Sequence, residues 1–300
     1  MNIHAEHIED AVFEEWGCCD RNLFWLHEPN LPITGGKIAR ADIDALADHP
    51  EITAVMVSGL DQDTFEYFVE TYGPRLRYIH FFKNKMVEDL SPLGALPELE
   101  GFRFFHNQRV TRLWDMRSNK NLKFIDLADF TRLHDLEGVQ RAPALEWFSF
   151  GDRIWSTSVA DSYCIFRDTG VRRLDFTGKA IADMDLSFVL DMPMLEELNL
   201  PTNVFTTEQN AWVVANRPDV RGYSLRPSIY FPKDSISEAQ ALIVGKRKPS
   251  INIAGNEERI RRYEARFQEL VAGLKGAPWS SVTTDAKPTA RTKGGSHDLL

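Results

Sequence analysis

Cysteine is scarce in this 300-residue chain, which has only Cys18, Cys19 and Cys164. Adjacent residues such as Cys18 and Cys19 seldom form a bridge with each other, so no disulfide framework is visible. A reducing cytoplasm is therefore the expected setting. No run of eighteen apolar residues occurs, so no membrane-spanning helix is expected. The opening residues, MNIHAEHIEDAVFEEW, are acidic and lack the basic-then-apolar order of a secretory signal.

Positive charge is also short. The 35 Lys and Arg residues face 44 Asp and Glu, a net of -9. From Gly245 onward, 11 basic and 6 acidic residues give +5, which leaves -14 for residues 1–244. An acidic body argues against nucleic-acid binding and suits solubility or a basic protein partner. The basic triplet Lys246-Arg247-Lys248 reads as a solvated turn.

Catalytic signatures are missing too. The chain has no G-x-x-x-x-G-K-[ST], G-x-G-x-x-G, G-x-S-x-G or H-E-x-x-H. His4 and His7 have a spacing that metal sites use, but no cysteine partner beside them, so they read as ordinary. Cys18 and Cys19 beside Asp20 read as a buried pair. Asp126, Asp129, Asp152 and His134 lie in neighbouring segments where they could approach one another. Carboxylates with a histidine can transfer protons, although such pairs are common on repetitive surfaces. The expectation is a protein that is not an enzyme, with no cofactor and no metal.

What the chain has in quantity is repetition. A phrase, apolar-x-x-apolar-x-apolar-x, recurs eight times. Its apolar members are Ile52-Val55-Val57, Leu76-Ile79-Phe81, Leu99-Phe102-Phe104, Leu122-Ile125-Leu127, Leu145-Phe148-Phe150, Val171-Leu174-Phe176, Leu195-Leu198-Leu200 and Val220-Tyr223-Leu225. The starts are separated by 24, 23, 23, 23, 26, 24 and 25 residues. A period in the twenties signals stacked units, none of which can bury its apolar side alone. With 43% hydrophobic residues the chain can build an ample core.

Leu76 to Asn84 (LRYIHFFKN) reads L-x-x-L-x-L-x-x-N with Ile and Phe as apolar substitutes, as do Leu99 to Asn107 and Leu195 to Asn203. In this the chain resembles the leucine-rich repeat family, in its irregular short-repeat form, over roughly residues 38–230. Pro97, Pro143, Pro193 and Pro218 fall just before the next phrase, where a turn must feed a strand. The Asn position is instead Leu60, Phe130, Arg153, Lys179 and Ser228 in the other copies, so the family's asparagine ladder is broken. The resemblance implies an α/β fold, a leucine-rich repeat solenoid with a curved parallel β-sheet on the concave face and short helices or 3₁₀ turns on the convex face. It also implies caps at both ends and a role in protein–protein interaction.

Four zones follow. Residues 1–50 read as an N-terminal cap. Ile8, Val12, Phe13 and Trp16 have helical spacing, Asn22 to Glu28 reads as a strand, and Pro29, Pro32, Gly35 and Gly36 mark a loop. A short helical turn at Ile43 and Leu46 leads into the first phrase. Residues 51–230 are the repeats. The fifth is longest, with extra residues between Gly151 and Gly170 that include Trp155, Tyr163, Cys164 and Phe166. They read as a local helix closing the convex core, or as a protruding loop. Residues 231–276 read as a C-terminal cap. Ile251 and Ile253 suggest a last strand, and Asn256 suggests the N-cap of a helix carrying Ile260, Tyr263, Phe267, Leu270, Val271 and Leu274. Residues 277–300 are rich in Ser, Thr, Lys and Gly and read as a disordered tail.

Strand alternation says what the sheet presents. The apolar positions of each phrase point inward, and the third, fifth and seventh point to the other face. The third column reads Ala54, Tyr78, Gly101, Phe124, Trp147, Arg173, Glu197, Gly222. The fifth reads Met56, His80, Arg103, Asp126, Ser149, Asp175, Asn199, Ser224, and the seventh Ser58, Phe82, Phe105, Ala128, Gly151, Thr177, Pro201, Arg226. Tyr78, Phe82, Phe105, Phe124 and Trp147 therefore cluster where solvent is expected, with His80, Arg103, His106 and Asp126 among them and Arg173 beyond. Exposed aromatics with arginine mark a binding surface, unless a cap or the tail covers them. The partner expected is a protein or peptide, with the chain as a regulatory or inhibitory subunit. The alternatives are a homodimer through the same patch, or an enzyme or enzyme activator using Arg103 or Asp126. Monomer and homodimer both stay open.

Overall fold

A computed structural model describes residues 23–26, 37–151, 159–177, 180–233 and 239–283. The helical reading at Ile8 to Trp16, the loop at Pro29 to Gly36, His4, His7, Cys18, Cys19, Asp152, Trp155 and residues 284–300 lie outside them.

Each phrase from the first to the seventh becomes a short strand. They are β2 (Ala54–Ser58), β3 (Tyr78–Phe82), β4 (Gly101–Asn107), β5 (Phe124–Phe130), β6 (Trp147–Gly151), β8 (Arg173–Phe176) and β10 (Glu197–Asn199). Together with β1 (Leu23–Leu26), which lies in the strand expected at Asn22 to Glu28, they form an eight-stranded parallel sheet. Two small strands, β7 (Val159–Ala160) and β9 (Ala180–Ile181), pair in parallel beside it. Residues of successive phrases are direct partners: Ala54 with Tyr78, Tyr78 with Gly101, Gly101 with Phe124, Phe124 with Trp147, Trp147 with Arg173, and Arg173 with Glu197. The register follows from burial, because a slip of one residue would turn Val55, Ile79, Phe102, Ile125, Phe148 and Leu174 out of the core.

The eighth phrase departs from the pattern. Tyr223–Leu225 winds into a 3₁₀ turn, and only Arg221 makes a bridge, to Glu197. The reason is close approach. A Cβ at Gly222 would stand 1.9 Å from the Leu198 carbonyl oxygen, so the chain bends against β10 where only glycine fits.

Between strands the chain returns mostly through 3₁₀ turns, at Gly73–Arg75, Ser91–Ala95, Met116–Ser118, Val139–Arg141, Cys164–Phe166 and Ser187–Asp191. The first connection instead holds α1 (Gln62–Thr71). Its N-cap Asp61 accepts from the Thr64 amide at 3.0 Å and its buried face is Phe65, Phe68 and Val69. These turns and the inward strand residues enclose one continuous apolar core. Of the fifth-segment insertion, the described part fills that core: Tyr163 stacks on Phe176 at 3.5 Å and Phe166 lies 5.0 Å from Phe148.

The C-terminal part differs from expectation in three ways. Ile251 does lie in a strand, but as the last of a three-stranded antiparallel sheet, β11 (Ser228–Phe231), β12 (Gln240–Ile243) and β13 (Ser250–Asn252). Helix α3 (Glu257–Gly273) follows Asn256, yet the Asn256 side chain makes no cap; it donates back to the Asn252 carbonyl at 3.1 Å. The expected disorder is also overturned for residues 277–283. Trp279 packs edge-on against Trp212 of α2 (Thr207–Asn216), whose indole N–H donates to the Ala277 carbonyl at 2.7 Å. A buried indole needs both a packing partner and an acceptor, and this segment supplies them.

Candidate functional site

The far face of the sheet, turned away from the 3₁₀ turns, carries all the singled-out residues but His106. Tyr78, His80 and Phe82 sit on β3, Arg103, Phe105 and His106 on β4, Phe124 and Asp126 on β5, Trp147 on β6 and Arg173 on β8. Their exposure differs from the sequence reading. Tyr78, Phe82 and Phe124 are buried, whereas Phe105, Trp147, His80, Arg103, Asp126 and Arg173 are partly open. Lateral stacking contributes to that burial, because in-register neighbours cover one another's faces at strand spacing. Phe82 stacks on Phe105 at 5.4 Å and Phe124 on Trp147 at 4.6 Å. The Arg77 guanidinium lies 5.5 Å from the Tyr78 ring centre.

Polar groups knit this face together. The Arg103 guanidinium pairs with the Asp126 carboxylate at 3.0 Å. Arg173 lies over the Trp147 ring at 4.3 Å and meets Asp175 at 2.6 Å. The Trp147 indole N–H also donates to Asp175 at 2.6 Å, and Asn199 donates to its other oxygen at 2.7 Å. Although His80 as a residue is partly open, its ring Nε2 is closed off from solvent. The ring is pushed well below its ordinary pKa of 6.5, first by burial and then by the Arg103 charge, so it is a neutral imidazole at neutral pH.

His106 occupies a different position. It follows Phe105 in a left-handed conformation, φ 64°, and its Nδ1 contacts the Asp129 carboxylate. Gly59 (φ 79°), Lys83 (φ 56°) and Asp129 (φ 63°) occupy the same eighth place of their phrases. Only the first is the residue type that adopts it without steric cost. Asp129 thus pairs with His106 rather than with His134, whose Nδ1 contacts the Val159 carbonyl at 2.7 Å. The grouping of Asp126, Asp129 and His134 read from sequence is not what the fold assembles.

Two kinds of residue on or behind this face had no sequence signal of function. Trp25 is 41% exposed and extends the fifth column, because β1 places it opposite Met56. Strand alternation in Asn22 to Glu28 carried that information, but the pairing partner was not readable. Asn119 and Arg217 are structural. Asn119 donates to the Leu93 and Leu96 carbonyls, both at 2.9 Å, and accepts from Trp114. Arg217 donates to the carbonyls of Val189, Met192 and Leu195.

Chemically the face offers aromatic surface, paired charges and hydrogen-bonding edges. Among the described residues, no group of three or more His, Cys, Asp or Glu is placed to hold a metal ion. None of the described helices is long and apolar enough to cross a membrane. No protein-family model matches the chain, and no curated protein matches it.

Proposed function

We propose that the chain is a leucine-rich-repeat-like solenoid whose concave face binds a protein or peptide, as a non-enzymatic regulatory or inhibitory partner. The observation that carries this reading is the mixed column surface. Partly exposed Trp25, Phe105 and Trp147 stand among Arg103, Asp126 and Arg173 on one in-register parallel sheet. Aromatic and arginine anchors with paired charges dominate the energy of protein interfaces, and an in-register sheet face presents them as one continuous surface. Repeat phrases at a spacing of 23–26 residues support the solenoid part of the proposal.

The test is affinity capture with the wild type and with a Phe105→Ala/Arg173→Glu variant, both shown folded by circular dichroism. Recovery of a partner by the wild type alone supports the reading. Equal recovery of every partner by both proteins sinks it.

A further inference from the structure

The triplet Lys246-Arg247-Lys248, which reads from sequence as a solvated turn, is seated against the C-terminal helices. It lies between β12 and β13, and the turn is held at both ends. The Gly245 amide donates to the Thr202 carbonyl at 2.7 Å, and the Lys248 amide donates to the Gly245 carbonyl at 3.1 Å. Gly245 has φ +136°, and a Cβ there would stand 2.8 Å from the Thr207 hydroxyl oxygen. Glycine is what lets the basic turn approach the start of α2.

That approach shapes an open cavity of about 380 Å³, lined by Thr206, Thr207, Glu208, Lys246, Arg247, Lys248, Tyr263 and Arg266. Four cations and one carboxylate give the lining a charge of +3, on a chain whose net charge is -9. Glu208 is already engaged, 3.6 Å from Arg266. Among the described residues, Lys246, Arg247 and Lys248 form no ion pair, and Lys248 leans over the Tyr263 ring at 5.5 Å. Tyr263 is anchored in turn, donating to the Val244 carbonyl at 2.5 Å and lying 2.8 Å from the Thr207 hydroxyl. The first turn of α2, a ten-residue helix, lines the same cavity; its Thr206 and Gln209 amides are taken up by a capping box, so what this end offers an anion is the positive end of the helix dipole.

We propose that this cavity binds a small anion carrying two or more linked phosphates. Like-charged side chains from two segments converge on one volume, an arrangement that a polyanion stabilises and that water alone leaves repulsive. Paired guanidinium and ammonium groups match several phosphate oxygens at once. The volume exceeds what one inorganic phosphate fills and lies at the lower end of small-molecule sites, about 300–1,000 Å³. The site uses none of the far-face residues, so it stands apart from the proposed protein-binding surface.

The test is calorimetric titration of the whole chain with inorganic tripolyphosphate at fixed ionic strength, with sulfate as the single-centre control. Saturable one-to-one binding is expected, weakening about tenfold in Lys246→Ala and again in Arg266→Ala, as befits loss of a charge-assisted hydrogen bond. These side chains are exposed, and a thermal melt confirms that each variant is folded. Absence of saturable binding, binding no tighter than sulfate, or equal affinity in an Arg247→Ala/Arg266→Ala variant would overturn the proposal. Sedimentation with phosphatidylcholine vesicles containing a phosphatidylinositol bisphosphate separates two sources of the same chemistry. Vesicle binding displaced by tripolyphosphate supports the site with a lipid headgroup as the source. Tripolyphosphate binding without vesicle binding supports it with a soluble compound as the source.

Discussion

The indole N–H of Trp147 donates to the Asp175 carboxylate at 2.6 Å while the Arg173 guanidinium covers the same ring at 4.3 Å. One side chain therefore joins the aromatic half of the far face to its charged half. Trp147→Phe keeps the stack on Phe124 and loses the hydrogen bond, at an expected cost of about 1–2 kcal/mol. Trp147→Ala also loses the stack and the cation–π contact, and about 3 kcal/mol is expected. Urea unfolding of the three proteins checks the order; equal midpoints for the two variants would show that the stack contributes nothing.

Asn107 is fully buried and uses both ends of its amide. Its Oδ1 accepts from the Arg109 and Val110 amides at 2.9 and 2.8 Å, and its Nδ2 donates to the Asn84 and Val87 carbonyls at 3.0 and 2.9 Å. Asn107→Ala strands these groups in the core and is expected to cost about 2–4 kcal/mol. Asn203 fits the same phrase position but is exposed, so Asn203→Ala is expected to change stability by less than about 0.5 kcal/mol. Chemical denaturation of both variants measures the contrast.

Gly222→Ala drives a methyl group into the Leu198 carbonyl, because the ideal Cβ lies 1.9 Å from that oxygen. Backbone on both sides cannot yield cheaply, and a loss of about 3 kcal/mol or more is expected. Gly273→Ala meets no heavy atom within 4 Å and serves as the control, within about 1 kcal/mol of wild type. Thermal melts of the pair decide it.

His80 makes stability depend on pH. Its folded pKa lies well below 6.5, through burial first and then the Arg103 charge. Unfolding then takes up a proton at any pH between the folded value and 6.5, so stability rises with pH across that window and is lost as pH falls below about 6.5. One such proton contributes at most about 1.4 kcal/mol per pH unit. The chain has 8 histidines, so the informative quantity is the difference between wild type and His80→Gln. Unfolding midpoints from pH 7.5 to 5 are expected to converge as pH falls, since only the wild type carries this penalty. Parallel curves would refute the assignment.

Much of the fold was legible because it rests on local periodicity. Alternation around Val55 and Val57, Ile79 and Phe81, and Phe102 and Phe104 places side chains on opposite faces whatever lies beyond. The recurrence of the phrase then sets which residues become neighbours, and the far-face columns from Ala54 to Glu197 pair as the spacing requires. The asparagines were half legible. Asn84 and Asn107 bond across segments, while Leu60 and Phe130 fill the same position with apolar volume instead.

Tertiary structure decided the rest. The placing of Trp25 beside Met56 and the seating of Lys246-Arg247-Lys248 against α2 join residues whose neighbours no local pattern names, and the degree to which Tyr78, Phe82 and Phe124 are buried depends on the packed sheet as a whole. Periodicity reports the face on which a side chain stands. It carries no information on what comes to rest over that face, because such contacts depend on the path of chain segments far away in sequence. For this protein the repeating strands and their inward core followed from the amino-acid order, and the accessible surface and the basic cavity came only from three-dimensional packing.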